Sequence, residues 1–308
     1  MNASTYDADM LVVGAGPAGV AAALMAASLN LRAIVVESGP VGGKLHRVSA
    51  LENVSGNWST GPQLAEALAA DLQRLQKAGR CRVVQGHAVK ATGHDGRAEL
   101  ALADGRVFTS ASIVVATGVT ELAPSDLQWV SAPADFSASP LWRATPQELT
   151  GRTYVLGADR PLGTWLRAHP DSTTTLHVLC PPTDRYKAAE VEDDRRVRLV
   201  PVSHAAISRP AYGDGWTVEV KGHEGIKTVY AATSVLNNLG SKPAGLAGLV
   251  SGEDGYCPPN QQHRRIRVAG DLRSARFQRI ATAQGSGAEA VLGYYYETAL
   301  RTANGAAR

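Results

Sequence analysis

Residues 9–13 (DMLVV) are an apolar run that ends on Gly14-Ala15-Gly16-Pro17-Ala18-Gly19. An alanine-rich stretch to about Leu29 follows, then a second apolar run, 33–36 (AIVV), that stops at Glu37. Read by period, the order is strand, glycine turn, helix, strand, with an acid at the tip of the second strand. That order restricts the fold to a parallel βαβ unit with a phosphate-sized opening at its turn. Gly14 permits the tight turn, Gly16 lets the backbone approach a pyrophosphate, and Gly19 lets helix and strand pack closely. The helix start then offers free N–H groups and a positive dipole end to phosphates. Glu37 is placed to accept hydrogen bonds from a ribose 2′-OH, which argues against a 2′-phosphate there. A dinucleotide site is expected; this segment alone leaves NAD and FAD open.

The rest of the chain repeats the α/β signal. Ser59-Thr60-Gly61-Pro62 opens a helix with Leu64, Leu68, Leu72 and Leu75 on one face and Gly79 as its stop. A strand over 82–84 precedes an antiparallel meander, 98–103 and 106–109 joined by Asp104-Gly105. A separate buried strand over 113–116 ends in Thr117-Gly118. Near the C-terminus a strand over 266–269 ends in Gly270-Asp271 and leads through Phe277-Gln278-Arg279-Ile280-Ala281-Thr282 into a long helix.

Together these segments resemble the low-molecular-weight thioredoxin reductase family of FAD flavoproteins over the first ~120 and last ~70 residues. The resemblance is carried by GAGPAG, the terminal Glu37, GGKL (42–45) where the family usually has GGQL, ENVSGN (52–57), VVATG (114–118), and VAGD (268–271) followed by FQRIATAQGSGAEA. The resemblance implies FAD, with pyrophosphate on Gly14, Gly16, Pro17, Ala18 and Gly19 and adenosine ribose on Glu37. It implies that Gly43, Lys44 and Leu45 line the flavin's path, that Asn53 sits beside the ring system, and that the backbone at Ala88 and Val89 faces the adenine. Thr117 and Gly118 would close the pocket, Gly270 and Asp271 would meet the ribityl chain, and Arg279, Ile280 and Thr282 would lie under the pyrimidine end of the flavin. The family usually has glutamine where this chain has Arg279. A helix N-terminus aimed at that end stabilises the negative charge acquired on reduction.

Two parts of the family pattern are missing. Its redox dithiol, a Cys-x-x-Cys at the start of the second domain, corresponds here to residues 135–143, DFSASPLWR, and no cysteine lies between Cys81 and Cys180. Serine cannot take up two electrons by disulfide opening, so no dithiol relay is expected. In the second domain the strand over 154–156 runs into Gly157-Ala158-Asp159-Arg160-Pro161-Leu162-Gly163. Asp159 replaces the middle glycine with a carboxylate where phosphate must approach, and Pro161 removes an N–H donor. After the next strand, over 176–179, Cys180-Pro181-Pro182-Thr183 stands where the family has His-Arg-Arg, with Arg185 and Lys187 as the nearest substitutes. NADPH use is therefore not expected.

The fold class read from this is α/β: two Rossmann-like three-layer domains of the FAD/NAD(P)-binding type, the second inserted in the first. About 100–200 residues per domain fits 308 residues to two domains. The expected boundaries are 1–122 and 235–308 for the FAD domain and 123–234 for the insert, with a crossover over 121–140 and a return through 235–240. Inside the insert, strands over 216–220 and 228–230 joined by His223-Glu224-Gly225 make a hairpin. Net charge of +3 gives no argument for nucleic acid, no apolar stretch is long enough to span a membrane, and residues 1–10 have no secretory pattern, so a cytoplasmic protein is expected. Cys81 and Cys180 read as structural, and Cys257, between Tyr256 and Pro258, as the most exposed of the three. The eight histidines show no ligand spacing, so no metal site is expected. A basic run, His263, Arg264, Arg265, Arg267, Arg273, Arg276 and Arg279, suits an acidic electron carrier such as ferredoxin or flavodoxin. Among Tyr294, Tyr295 and Tyr296 one is expected to be a core or dimer contact, and Trp142 reads as a hinge-region core residue. The resemblance implies a homodimer.

The functional expectation is an FAD oxidoreductase that exchanges electrons directly at the flavin with a protein or small molecule, with no assigned catalytic side chain. A ferredoxin-NADP reductase-like or oxidase activity, and a flavin that is only structural or sensory, stand as alternatives.

Overall fold

The computed structural model describes residues 6–222 and 224–306, and side chains up to residue 298. The first chain segment alternates strand and helix: β1 (Ala8–Val13), α1 (Pro17–Ser28), β2 (Ala33–Glu37), α2 (Gly61–Lys77) and β3 (Cys81–Gln85). Then come β4 (Ala88–Gly93), β5 (Ala98–Leu102) and β6 (Val107–Val115). A short strand β7 (Val119–Glu121) leads into the second unit. That unit holds β8 (Val130–Ser131), β9 (Ser139–Pro140), β10 (Thr153–Leu156), α3 (Pro161–Ala168), β11 (Leu176–Cys180), α4 (Arg185–Ala188) and β12 (Val197–Pro201). It continues with β13 (His204–Ser208), β14 (Trp216–Lys221), β15 (Lys227–Ala232) and β16 (Ser234–Asn237). The chain returns through β17 (Ser241–Pro243), which pairs with β7, and closes with β18 (Ile266–Val268) and α5 (Ile280–Ala306).

Contacts divide the chain into one unit of Met1–His46, Leu51–Thr120 and Pro243–Arg308 and another of Arg47–Ala50 and Glu121–Lys242. The return falls at Pro243 rather than at residue 235. The reason is pairing: β16 lies parallel between β10 and β9, inside the second unit's sheet.

In the first unit the order β3-β2-β1-β6 is parallel, and the β4–β5–β6 meander adds antiparallel strands beyond it. The sequence reads two strands, 106–109 and 113–116, where the fold has one of nine residues. Its first half pairs with β5 and its second half with β1 and β18. The intervening serines mimic a break, yet both are buried and satisfied. Ser110 Oγ donates to the Ser112 carbonyl at 2.8 Å, and Ser112 Oγ donates to the Arg265 carbonyl at 3.0 Å. Helix α2 starts where expected because Thr60 and Gln63 form a reciprocal cap, and its four leucines are buried. Burying each such leucine is worth about 1.5–3 kcal/mol.

The second unit has a five-stranded parallel sheet, β12-β11-β10-β16-β9, and a four-stranded sheet, β15-β14-β13-β8. Strands β14 and β15 form the expected hairpin, antiparallel and in register from Trp216↔Ala232 to Lys221↔Lys227. His223 of its turn lies outside the described residues. No helix among the described residues is long and apolar enough to cross a membrane.

Candidate cofactor site

The site grows from the end of β1. Gly14 takes φ +96°, and a Cβ there would stand 2.6 Å from the Ala116 carbonyl oxygen, so only glycine fits. Gly19 is equally required, because a Cβ would overlap the Gly14 carbonyl as α1 rises beside the turn. The Gly14 N–H donates to the Val36 carbonyl and the Ala116 N–H to the Val13 carbonyl, each at 2.8 Å. The turn is thus fixed against β2 on one side and β6 on the other.

Glu37 ends β2 and binds the turn itself. Its Oε2 accepts the Ala15 N–H at 2.5 Å and its Oε1 accepts the Gly39 N–H at 2.7 Å. Each carboxylate oxygen keeps acceptor capacity, so ribose hydroxyls still have a partner there. The Glu37 carbonyl accepts the Gly86 N–H at 2.9 Å, which brings the start of β4, with Ala88 buried and Val89 exposed, to the same end of the sheet.

The Ala15 carbonyl accepts the Gly42 N–H at 2.8 Å and so holds the short helical turn Gly43–Arg47 on the glycine loop. Gly43 and Lys44 are exposed on this turn, and Leu45 is buried as its anchor. On the far side, a Cβ at Gly270 would lie 3.0 Å from the Ala18 Cβ, which places Gly270 and Asp271 against the start of α1. The Gly270 N–H donates to Ser286 Oγ at 2.8 Å. Beside the turn, Thr117 Oγ1 donates to the Ala244 carbonyl at 2.6 Å, and the Gly118 carbonyl accepts the Ala244 N–H at 3.0 Å.

The segment from Asp271 to Ile280 is pinned by Gln278. Its side-chain amide donates to the Ser274 carbonyl at 3.1 Å, the Asp271 carbonyl at 3.3 Å and the Tyr256 hydroxyl at 3.2 Å. Thr282 Oγ1 sits at 2.8 Å from the Arg279 carbonyl and accepts the Arg279 N–H at 3.2 Å. Phe277 adopts φ +61°, a left-handed conformation that costs a bulky residue energy, and its ring is 80% exposed. Burial pushes the Asp271 carboxyl up from its ordinary range, against the charges of Lys44 and Arg279, which pull it down. Among the described residues nothing donates a hydrogen bond to that carboxylate.

The structure thus gathers Gly14, Gly16, Pro17, Ala18, Gly19, Glu37, Gly43, Lys44, Leu45, Ala88, Val89, Thr117, Gly118, Gly270 and Asp271 around one glycine turn and the sheet ends beside it, while Arg279, Ile280 and Thr282 lie on the segment that leads from Asp271 into α5. Asn53 is different: it is exposed on the loop between Leu51 and Ser59. Sequence reading passed over Ala15, Ser286, Gln278 and Ala244, which supply the supporting bonds. A buried serine inside AQGSG was the one available signal for Ser286.

The fit to FAD is visible in the cradle. Positions Gly16, Gly43 and Gly118 face open space where a Cβ would project, Glu37 retains acceptors, and Asp271 offers a half-buried carboxylate. A family model described as pyridine nucleotide-disulphide oxidoreductase matches residues 8–136. Thioredoxin reductase of Listeria monocytogenes is 24% identical over 91% of this chain and 90% of its own. The chain is thus similar to thioredoxin reductases, which lie within the FAD flavoproteins. The solved thioredoxin reductases of Lactococcus lactis (19% identical, TM-score 0.72) and T. acidophilum (18%, 0.72) share the fold, each over 94% of this chain and 98% of theirs.

The other sequence features fall into place by burial and pairing. All three cysteines are free and buried; Cys257, expected to be the exposed one, is 0% exposed, because its loop folds back and its N–H donates to the Leu272 carbonyl at 3.0 Å. Burial pushes the Cys81 thiol up to about 11 and raises Cys180 as well. No cluster of His, Cys, Asp or Glu among the described residues suits a metal ion.

In the second unit, Asp159 pairs with Lys187 at 3.5 Å, and Lys187 also pairs with Asp184 at 3.1 Å. Burial alone would push the Lys187 ammonium down, but the two carboxylates outweigh it and the net shift is upward. Arg185 pairs with Glu192, and Glu190 stands over Gly163 on α3. Trp142 donates to Glu121 Oε1 at 2.7 Å, with the Arg47 and Arg143 guanidiniums 5.4 Å and 5.7 Å from its ring. In the basic run, Arg264, Arg267 and Arg273 pair with Asp95, Glu297 and Glu289, and Arg265 donates to the carbonyls of His94, Asp95 and Ala111. Tyr294 is half-buried, while Tyr295 and Tyr296 are exposed.

Proposed function

We propose that this protein is an FAD-dependent oxidoreductase whose flavin exchanges electrons directly with an external partner, without an internal dithiol and without NADPH. The observation that carries this reading is the state of the sulfurs. No cysteine lies between Cys81 and Cys180, and all three are buried in separate places with two thiols held in their protonated form. A thiol that stays protonated is a poor nucleophile and a poor redox partner.

The second unit supports the nucleotide half of the reading. Where a dinucleotide turn would receive phosphate, Asp159 brings a carboxylate, and Lys187 is already bound to it and to Asp184. Arg185 is likewise engaged by Glu192. A phosphate arriving there must displace these pairs and meet the remaining acids, so attraction gives way to repulsion.

In the first unit Gly14, Gly16, Pro17, Ala18 and Gly19 hold the pyrophosphate, Glu37 the adenosine ribose, Ala88 and Val89 the adenine side. Gly43, Lys44, Leu45, Asn53, Thr117 and Gly118 border the flavin, and Gly270, Asp271, Arg279, Ile280 and Thr282 meet its ribityl and pyrimidine end. FAD supplies the two-electron chemistry when bound; the chain binds and orients it. Because the basic run is mostly engaged within the chain, a small-molecule partner fits better than an acidic carrier such as ferredoxin or flavodoxin. The working form in this reading is a cytoplasmic homodimer.

Anaerobic mixing tests the reading. The FAD-loaded protein is expected to keep its yellow absorbance with NADPH or NADH and to bleach with dithionite. Rapid bleaching by NADPH would overturn it.

A further inference from the structure

We propose that Arg279 and Lys44 set the reduction potential of the bound FAD, raising it by favouring the negatively charged reduced form. The inference rests on the FAD-site reading above and adds which charges control the cofactor's energy.

The argument is one of placement. Gly42 bonds to Ala15 and Gly270 packs on Ala18, so the turn bearing Lys44 and the segment bearing Asp271 lie on two sides of the same glycine loop. Gln278 folds the 271–279 segment back on itself, which carries Arg279 to the Asp271 end. Both cations act on that single carboxylate. The Arg279 guanidinium donates to a carbonyl, that of Gln278 at 2.8 Å, and so its charge is not cancelled by that bond. Three other arginines of the basic run, Arg264, Arg267 and Arg273, meet carboxylates instead. Helix α5 begins one residue after Arg279 with no acid in its first turn, so its positive end adds to the same field.

Reduction of FAD by two electrons with uptake of one proton adds one negative charge to the ring. Positive charge beside it stabilises the product more than the reactant, and the potential rises.

The experiment measures the potential of bound FAD by anaerobic equilibration with a reference dye, in the full chain and in Lys44→Gln, Arg279→Gln and the double variant. In the double variant the equilibrium for reduction is expected to fall about tenfold, which is ~30 mV for a two-electron couple. Arg279→Lys, which keeps the charge, is expected to stay near the parent value. Raising the salt concentration should lower the parent potential and leave the double variant nearly unmoved. FAD bound by the double variant at parental affinity with an unchanged potential overturns this inference alone. Failure of the parent chain to bind FAD overturns the site reading and this inference with it.

Discussion

Asp271 shows how one side chain trades stability for a site. Its carboxyl is pushed up by burial, with Lys44 and Arg279 opposing, so the fold holds a proton there more tightly than the unfolded chain does. A carboxyl raised in this way contributes stability below its unfolded pKa of about 3.9, and that contribution is lost as pH rises through the folded value. Asp271→Asn removes the buried charge without changing shape. The FAD-free variant is therefore expected to melt at a higher temperature than the parent at pH 7, with the difference shrinking as pH falls toward 4. The same variant should bind FAD more weakly, read by flavin fluorescence. A lower melting temperature at pH 7 would contradict the account. Part of this scale was legible in the sequence: Gly14 makes the tight turn and Gly19 the close helix–turn contact that their spacing implies. Cys257 was not, because Pro-Pro and Gly neighbours suggest an exposed loop, whereas burial comes from a distant backbone partner, Leu272. Lys187 was also illegible, since its partners Asp159 and Asp184 meet it only through the fold.

Elements were read best where a local device defines them. Helix α2 is bounded by the Thr60–Gln63 cap and by Gly79, both visible as residue types, and its leucines repeat at helical spacing. Thr60→Ala is expected to cost about 1 kcal/mol of unfolding free energy. Denaturant titration checks this, and FAD affinity should be unchanged because the cap lies outside the cradle. A loss of FAD affinity would mean that α2 positions the site more directly than described. Strand β6 was misread because Ser110 and Ser112 look like an interruption, and only the partner strands β5, β1 and β18 show why one long strand is needed. The strand β16 was placed in the wrong half for a similar reason. Its assignment depends on lying between β10 and β9, which no local residue pattern records.

At the scale of the whole molecule the chain keeps the architecture of a two-unit flavoprotein while its sulfurs are scattered and buried. The parallel order β3-β2-β1-β6 puts the glycine turn at the sheet's carboxyl end, where such sheets bind ligands. The second unit retains a parallel sheet but fills the corresponding turn with its own ion pairs. The scaffold was readable from repeated strand and helix signals, and the proposed change of chemistry rests on a few residues that break the pattern. The central claim is that flavin is the sole electron store, and anaerobic dithionite titration of the FAD-loaded protein tests it most directly. The account predicts full reduction after one two-electron equivalent per flavin, with no long-wavelength thiolate–flavin band; uptake of a second equivalent, with that band appearing on the way, would contradict it.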